Sequence, residues 1–165
     1  HPSIGGIILF SRNFNSVQQI KNLIDSIKML RSPSLIIYVD QEGGRVQRFK
    51  DDMTKIPNIE LLGEKYKSDP HGAINLSENI GWLIGHELRC IGIDVNTAPV
   101  LDINYSRSNI MSGRCFSNTP KKVSALSKAF LLGAKKSGIS SICKPWIKTN
   151  DYHQDSPELW FEKTF

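Results

Sequence analysis

Leu35-Ile36-Ile37-Tyr38-Val39-Asp40-Gln41-Glu42-Gly43-Gly44-Arg45-Val46-Gln47-Arg48-Phe49 passes abruptly from an unbroken apolar run into charged residues and paired glycines. Such a run is how a strand buried on both faces of a parallel sheet reads. The change of character at Asp40 sets a carboxylate where strand hands over to loop. Ligands of α/β folds collect at the carboxyl ends of strands, so Asp40 and the arginines after it are the first candidates for a site. The plainer alternative makes Asp40 a loop cap and Arg45 and Arg48 solvated surface charges.

Upstream, the apolar residues 5–10 form a second strand whose end delivers Arg12 and Asn13. A helix is expected from Ser16, which makes a capping-box pair with Gln19, and Val17, Ile20, Leu23, Ile24, Ile27 and Leu30 recur on one face. Arg31-Ser32-Pro33-Ser34 breaks it and feeds the Asp40 strand, which completes a βαβ unit.

Downstream, a polar connection through Pro57 and Gly63 to Pro70 is too long for a simple turn and is expected to carry short helical pieces. A long helix follows over about residues 72–91, with Ile74, Ile80, Leu83, Ile84, Leu88 and Ile91 as its stripe and Gly92 as its left-handed stop. His86-Glu87 resembles the start of a zinc-protease helix, but Cys90 stands where the second histidine is needed, so His86 reads as an ordinary helix residue. Residues 93–102 are predicted to form the next strand, again ending in a carboxylate, Asp102. An aspartate that starts a loop commonly bonds its own backbone, and Asp102 is read as structural. Arg107 and Arg114 lie in the following loop, and Thr119-Pro120 opens a helix with Val123, Leu126, Phe130 and Ala134 inside and Gly138 at its close. Residues 139–143 make a fourth strand with Lys144 at its end. Strands alternating with helices, each strand ending in polar groups, predict an α/β fold of (β/α) barrel type with its site on one rim.

A whole (β/α)8 TIM barrel takes about 250 residues. The chain has 165, so it is expected to hold a partial barrel. No apolar run reaches the roughly eighteen residues of a membrane span. The start, His1-Pro2-Ser3-Ile4, has neither an initiator methionine nor a signal-peptide pattern and reads as an interior start. Cys90, Cys115 and Cys143 are odd in number and without a CxxC pair, which predicts reduced thiols in a cytoplasmic protein and no metal site. The net charge of +5 invites a nucleic-acid reading. Its lysines, however, fall on helix surfaces (Lys121, Lys122, Lys135, Lys136) without interleaved aromatics, so no nucleic-acid partner is expected. A mild positive field would favour anionic ligands.

The segment Val39-Asp40-Gln41-Glu42-Gly43-Gly44-Arg45-Val46-Gln47-Arg48-Phe49 resembles the signature of the bacterial β-N-acetylhexosaminidases of glycoside hydrolase family three. Gly5-Gly6-Ile7-Ile8-Leu9-Phe10 with Arg12-Asn13, and Gly92-Ile93-Asp94-Val95-Asn96 with Ala98-Pro99-Val100-Leu101-Asp102, are similar to other segments of that family. The resemblance covers nearly all of the chain up to Lys144. It implies a TIM-barrel-type fold, present as a partial barrel of about four β/α units over residues 1–144, without the family's first strand. By the same resemblance, residues 145–165 would be a divergent remnant of the catalytic loop and a tail.

Glycosidic cleavage needs one group to protonate the leaving oxygen and another on the opposite face to trap the cationic sugar. By resemblance, Asp40, Arg48, Arg114 and Lys144 fall on the family's sugar-binding positions, the carboxylate accepting from hydroxyls and the cations donating. The family's acid/base is a histidine oriented by an aspartate two residues earlier. Asp151-Tyr152-His153 with Pro157 keeps that spacing and makes His153 and Asp151 the implied catalytic pair. No cofactor is implied. The substrates implied are muropeptides and related glycosides that carry N-acetylglucosamine.

Two departures stand out. The family's Lys-His-Phe-Pro-Gly-His-Gly is here Lys144-Pro145-Trp146-Ile147-Lys148, and the interval to His153 is about four residues shorter, which changes the reach of the loop. The family's nucleophile, an aspartate of the second half-barrel, has no counterpart in the chain. A retaining glycosidase whose isolated chain is inactive, unless a second polypeptide completes the barrel, is therefore the first expectation. A degenerate sugar-binding protein and a non-functional gene remnant, to which the tail Trp160-Phe161-Glu162-Lys163-Thr164-Phe165 is suited, are the alternatives.

Overall fold

The computed structural model describes residues 1–104 and 111–144. Arg107 and everything after Lys144, including Asp151 and His153, lie outside the described residues. Strands β1 (Gly6–Leu9), β2 (Ile36–Val39), β5 (Val95–Asn96) and β6 (Ser140–Ser141) form one parallel sheet in the order β1-β2-β5-β6. The short strands β3 (Gln41–Gly43) and β4 (Val46–Gln47) make an antiparallel hairpin directly above β2.

Helices fill the crossovers: α1 (Val17–Lys28), α2 (Glu60–Ser68), α3 (Pro70–Cys90) and α4 (Pro120–Ser137). Ser16 Oγ accepts from the Gln19 amide as expected, but the Gln19 side chain reaches Asn15 N rather than Ser16 N. Lys28 is the last helical residue, so Leu30, expected on the inner face, is exposed instead. α3 starts earlier than expected because Asp69 caps it and Pro70 stands at its first turn, where a missing N–H costs nothing. Gly92 (φ 94°) and Gly138 (φ 83°) end α3 and α4 in the left-handed region.

The α3 and α4 backbones touch. A Cβ on Gly81 would overlap the Phe130 carbonyl, and one on Gly133 would overlap the Glu78 carbonyl. Buried Ser77 donates to Leu126 O at 2.7 Å across the same seam.

The strand expected over residues 93–102 is interrupted. The ladder to β2 ends with the bond from Thr97 N to Val39 O, Pro99 has no N–H to continue it, and pairing resumes only where Val100 bridges Lys144. The fourth strand is correspondingly shorter than residues 139–143.

β2 is buried on one face only. Ile37 and Val39 lie in the core with Leu9, Ile20, Ile24, Ile84, Leu88 and Ile93. The other face carries Ile8 (43% exposed), Ile36 (42%), half-buried Tyr38 and Ile142 (48%). Pairing Ile8 with Tyr38, and Tyr38 through Val95 with Ser140, sets these side chains on one side by strand alternation. Among the described residues no strand pairs with the outer edge of β1 or of β6.

Candidate active site

The carboxyl end of the sheet is built by amides before it is decorated by charges. Asn96, buried at the end of β5, accepts from Gln41 N through Oδ1 and donates to Gln41 O through Nδ2, both at 3.0 Å. A side chain thereby continues the sheet where the main chain turns away. Gln41 Oε1 accepts from Arg48 N (2.8 Å) and Phe49 N (3.1 Å), while its Nε2 donates to Phe49 O (2.9 Å). Gln47 does the same for the next loop, donating to Thr54 O at 2.8 Å and accepting from Ile56 N at 2.9 Å. Glu87, of the failed zinc motif, accepts from Thr54 N and Oγ1 and anchors that loop to α3.

On this frame stand two carboxylates and three cations. Asp40 Oδ2 accepts from Arg48 Nη2 at 3.2 Å, and its Oδ1 accepts from Lys144 Nζ at 2.8 Å and from the Thr97 hydroxyl. Glu42 takes Arg114 as a fork, Nε to Oε2 and Nη2 to Oε1, both at 2.8 Å. Lys144 Nζ also lies 2.6 Å from Glu42 Oε1, so one ammonium joins both carboxylates. Asp40, Arg48, Arg114 and Lys144, read from distant parts of the sequence, are thus neighbours in one network. Arg48 is further seated against Phe10, its guanidinium carbon 5.7 Å from the ring centroid, with Arg12 at 4.7 Å from the same ring.

The network sets protonation. Burial pushes the Asp40 carboxyl up, but hydrogen bonds from Lys144, Thr97 and Arg48 and the charge of Lys144 outweigh it, and the net shift is downward. A carboxylate so held stays ionised at neutral pH and serves as an acceptor, not as a proton donor. The Glu42 hydrogen bonds raise the Arg114 guanidinium above its ordinary value despite partial burial.

Glu42, Gln41, Asn96 and Thr97 belong to this network although no sequence pattern singles them out. The hairpin sets Glu42 apart: Gly43 (φ 107°) follows it, and Gln41 pairs with Gln47 and Gly43 with Val46, which leaves Glu42 as the extra residue of a β-bulge. Bulges beside sites re-aim a side chain. Asp102, the other strand-end carboxylate, is half-buried, and its charge adds to burial in raising the Cys115 thiol. At the opposite end of the sheet Asp94 accepts from Ile37 N at 2.9 Å and from Lys28 at 2.7 Å. His86 stacks on Trp82 (5.0 Å between centroids) on the outer side of α3. Among the described residues no three His, Cys, Asp or Glu side chains group to hold a metal ion, and no helix is long and apolar enough to cross a membrane.

The model of the glycosyl hydrolase family 3 N-terminal domain matches residues 1–158. A curated β-hexosaminidase of Chromobacterium violaceum is 42% identical over 159 residues, which is 96% of this chain and 44% of that protein. A crystal structure of NagZ from Neisseria gonorrhoeae, in complex with N-trifluoroacetyl-D-glucosamine, superposes with a TM-score of 0.86 at 40% identity, over 88% of this chain and 44% of that one. A glycoside hydrolase family 3 β-N-acetylglucosaminidase from Paenibacillus sp. str. FPU-7 gives 0.78 at 31% identity, over 92% of this chain and 28% of that one. The chain therefore spans less than half the length of these relatives, and its α/β fold is part of a TIM-type barrel.

Proposed function

Because the chain belongs to the glycosyl hydrolase family 3 N-terminal domain family, we propose that it forms the sugar-orienting part of a retaining β-N-acetylhexosaminidase. The substrates are peptidoglycan fragments ending in β-linked N-acetylglucosamine, hydrolysed in the cytoplasm during cell-wall recycling. One observation carries the proposal: ionised Asp40 lies between Arg48 and Lys144 at the carboxyl end of β2, beside the Glu42–Arg114 pair. A carboxylate flanked by cations offers acceptors and donors together, which is what neighbouring hydroxyls of a pyranose need. The β-hexosaminidase names of the relatives support the same reading.

The labour divides by residue. Asp40 accepts from sugar hydroxyls, and Arg48, Arg114 and Lys144 donate, holding the ring before any bond changes. Asp40 is not the acid, since its proton is lost well below neutrality. Proton delivery to the leaving oxygen falls to His153 with its ring oriented by Asp151, a role carried over from the family's spacing. The nucleophilic carboxylate belongs to further β/α units, on a continuation of this polypeptide or on a second one, which would cover the exposed Ile8, Ile36 and Ile142. The 165 residues alone therefore bind sugar without turning it over.

Calorimetry with N-acetylglucosamine should give a saturable heat with the purified chain, and a chromogenic N-acetylglucosaminide should release no chromophore. Turnover that disappears in His153→Ala would overturn the division of labour, and absence of any heat would overturn the sugar site. The loop sequence Lys144-Pro145-Trp146-Ile147-Lys148 favours a second reading, a sugar-binding protein without chemistry. That reading is the correct one if supplying the missing half-barrel leaves the chain inactive.

A further inference from the structure

We propose that Glu42 is the positioning residue of this rim: it touches no sugar itself, and it fixes the Arg114 guanidinium and the Lys144 ammonium in the orientation that binds one. The inference rests on the sugar-binding reading above and adds a residue to it. Glu42 is only 5% exposed, and both of its oxygens are already occupied, Oε2 by Arg114 Nε and Oε1 by Arg114 Nη2 and Lys144 Nζ. Little of it is left for a ligand to reach. Asp40, by contrast, has a more exposed side chain than Glu42.

The geometry is that of a bracket. A fork of two parallel N–H···O bonds fixes both the plane and the roll of a guanidinium, which a single bond does not. Arg114 sits in the loop before α4, and the fork ties that loop to the β3–β4 hairpin. The bulge supplies the aim, because Glu42 is the one hairpin residue between Gln41 and Gly43 without a partner in β4. Lys144 is shared with Asp40, so Glu42 also divides that ammonium between two acceptors and keeps it from collapsing onto Asp40 alone.

Stability alone does not account for such a cluster. Buried ion pairs bring little net stability against apolar side chains of the same size, so burying this one beside the strand ends is better explained by what it orients.

The test uses the 165-residue chain, labelled with 15N, and N-acetylglucosamine as the probe. The Arg114 Nε–H resonance is assigned by its loss in Arg114→Lys. In the unaltered chain it should be displaced and slow to exchange with water, and in Glu42→Gln it should exchange at least about tenfold faster. The same variant should raise the Kd for N-acetylglucosamine roughly ten- to a hundredfold while the fold persists. Glu42→Asp keeps the charge but withdraws the carboxylate by one methylene; it should not restore affinity, and it serves equally should Glu42→Gln fail to fold. In the double variant Glu42→Gln with Arg114→Lys the losses should be far from additive, because one residue acts through the other.

Additive losses, an unchanged Kd in Glu42→Gln, or full rescue by Glu42→Asp would each overturn the positioning role. If the unaltered chain gives no heat with the sugar, the sugar-binding reading falls. The Nε–H exchange rate still decides whether Glu42 holds Arg114.

Discussion

The Lys144 ammonium donates to the Asp40 carboxylate at 2.8 Å, closing the ends of two strands whose residues are 104 positions apart. The bond also sets a dependence on acid. Asp40 titrates lower in the folded chain than its usual value near about 3.9, so as pH falls the unfolded chain takes up the proton first. Its contribution is complete above about pH 4 and is lost as pH drops through the folded value. Urea midpoints measured from pH 6 downward should fall more steeply for the unaltered chain than for Asp40→Asn, which has no proton to gain.

Gln41→Leu should be among the costly substitutions at the rim. It fills the volume but leaves Arg48 N and Phe49 N without the acceptor that the amide provides, while Phe49 O keeps the Gln47 side chain as its donor. Each orphaned group costs about 1–3 kcal/mol, so a loss of about 2 kcal/mol or more is expected from denaturant unfolding. A loss below about 1 kcal/mol would mean that water replaces the amide.

Gly133→Ala would ordinarily favour a helix, yet here its methyl group has no room beside the Glu78 carbonyl. The helices must separate, and a net destabilisation of about 1–3 kcal/mol is expected. Ala129→Gly, on the same helix and buried, provides a comparison in which only propensity and a methyl group are lost.

Thiol labelling should discriminate three cysteines in one experiment. Burial pushes the Cys115 thiol up to about 12, with help from Asp102, and the Cys143 thiol up to about 11, whereas Cys90 is exposed on α3. At pH 8 a disulfide reagent should modify Cys90 rapidly, half-buried Cys143 more slowly because little of it is thiolate, and buried Cys115 only as fast as the chain opens. Cys90→Ser should abolish the fast phase.

The strand-and-helix alternation was legible because it is local: apolar spacing, Ser16 before α1, Thr119-Pro120 before α4, and Gly138 after it all act within one turn of chain. Asp40 and Arg48 were legible because a charged segment directly follows β2. Glu42 was not, since its Arg114 partner is 72 positions away and no spacing rule connects them. Asn96 and Gln41, 55 apart, escaped for the same reason. The break in the strand at Pro99 is masked in the sequence by the hydrophobicity of Ala98, Val100 and Leu101, which continues a strand-like pattern across the lost ladder bonds. The burial of β2 was overstated because an apolar run reports what a strand prefers, not whether both neighbours are present.

At Asn96 the sheet depends on one primary amide for both a donor and an acceptor, set against the main chain of Gln41. Hydrolysis of that amide during ageing would place a carboxylate oxygen opposite the Gln41 carbonyl, turning attraction into repulsion. A single lost ammonia would loosen the segment from which both rim carboxylates project.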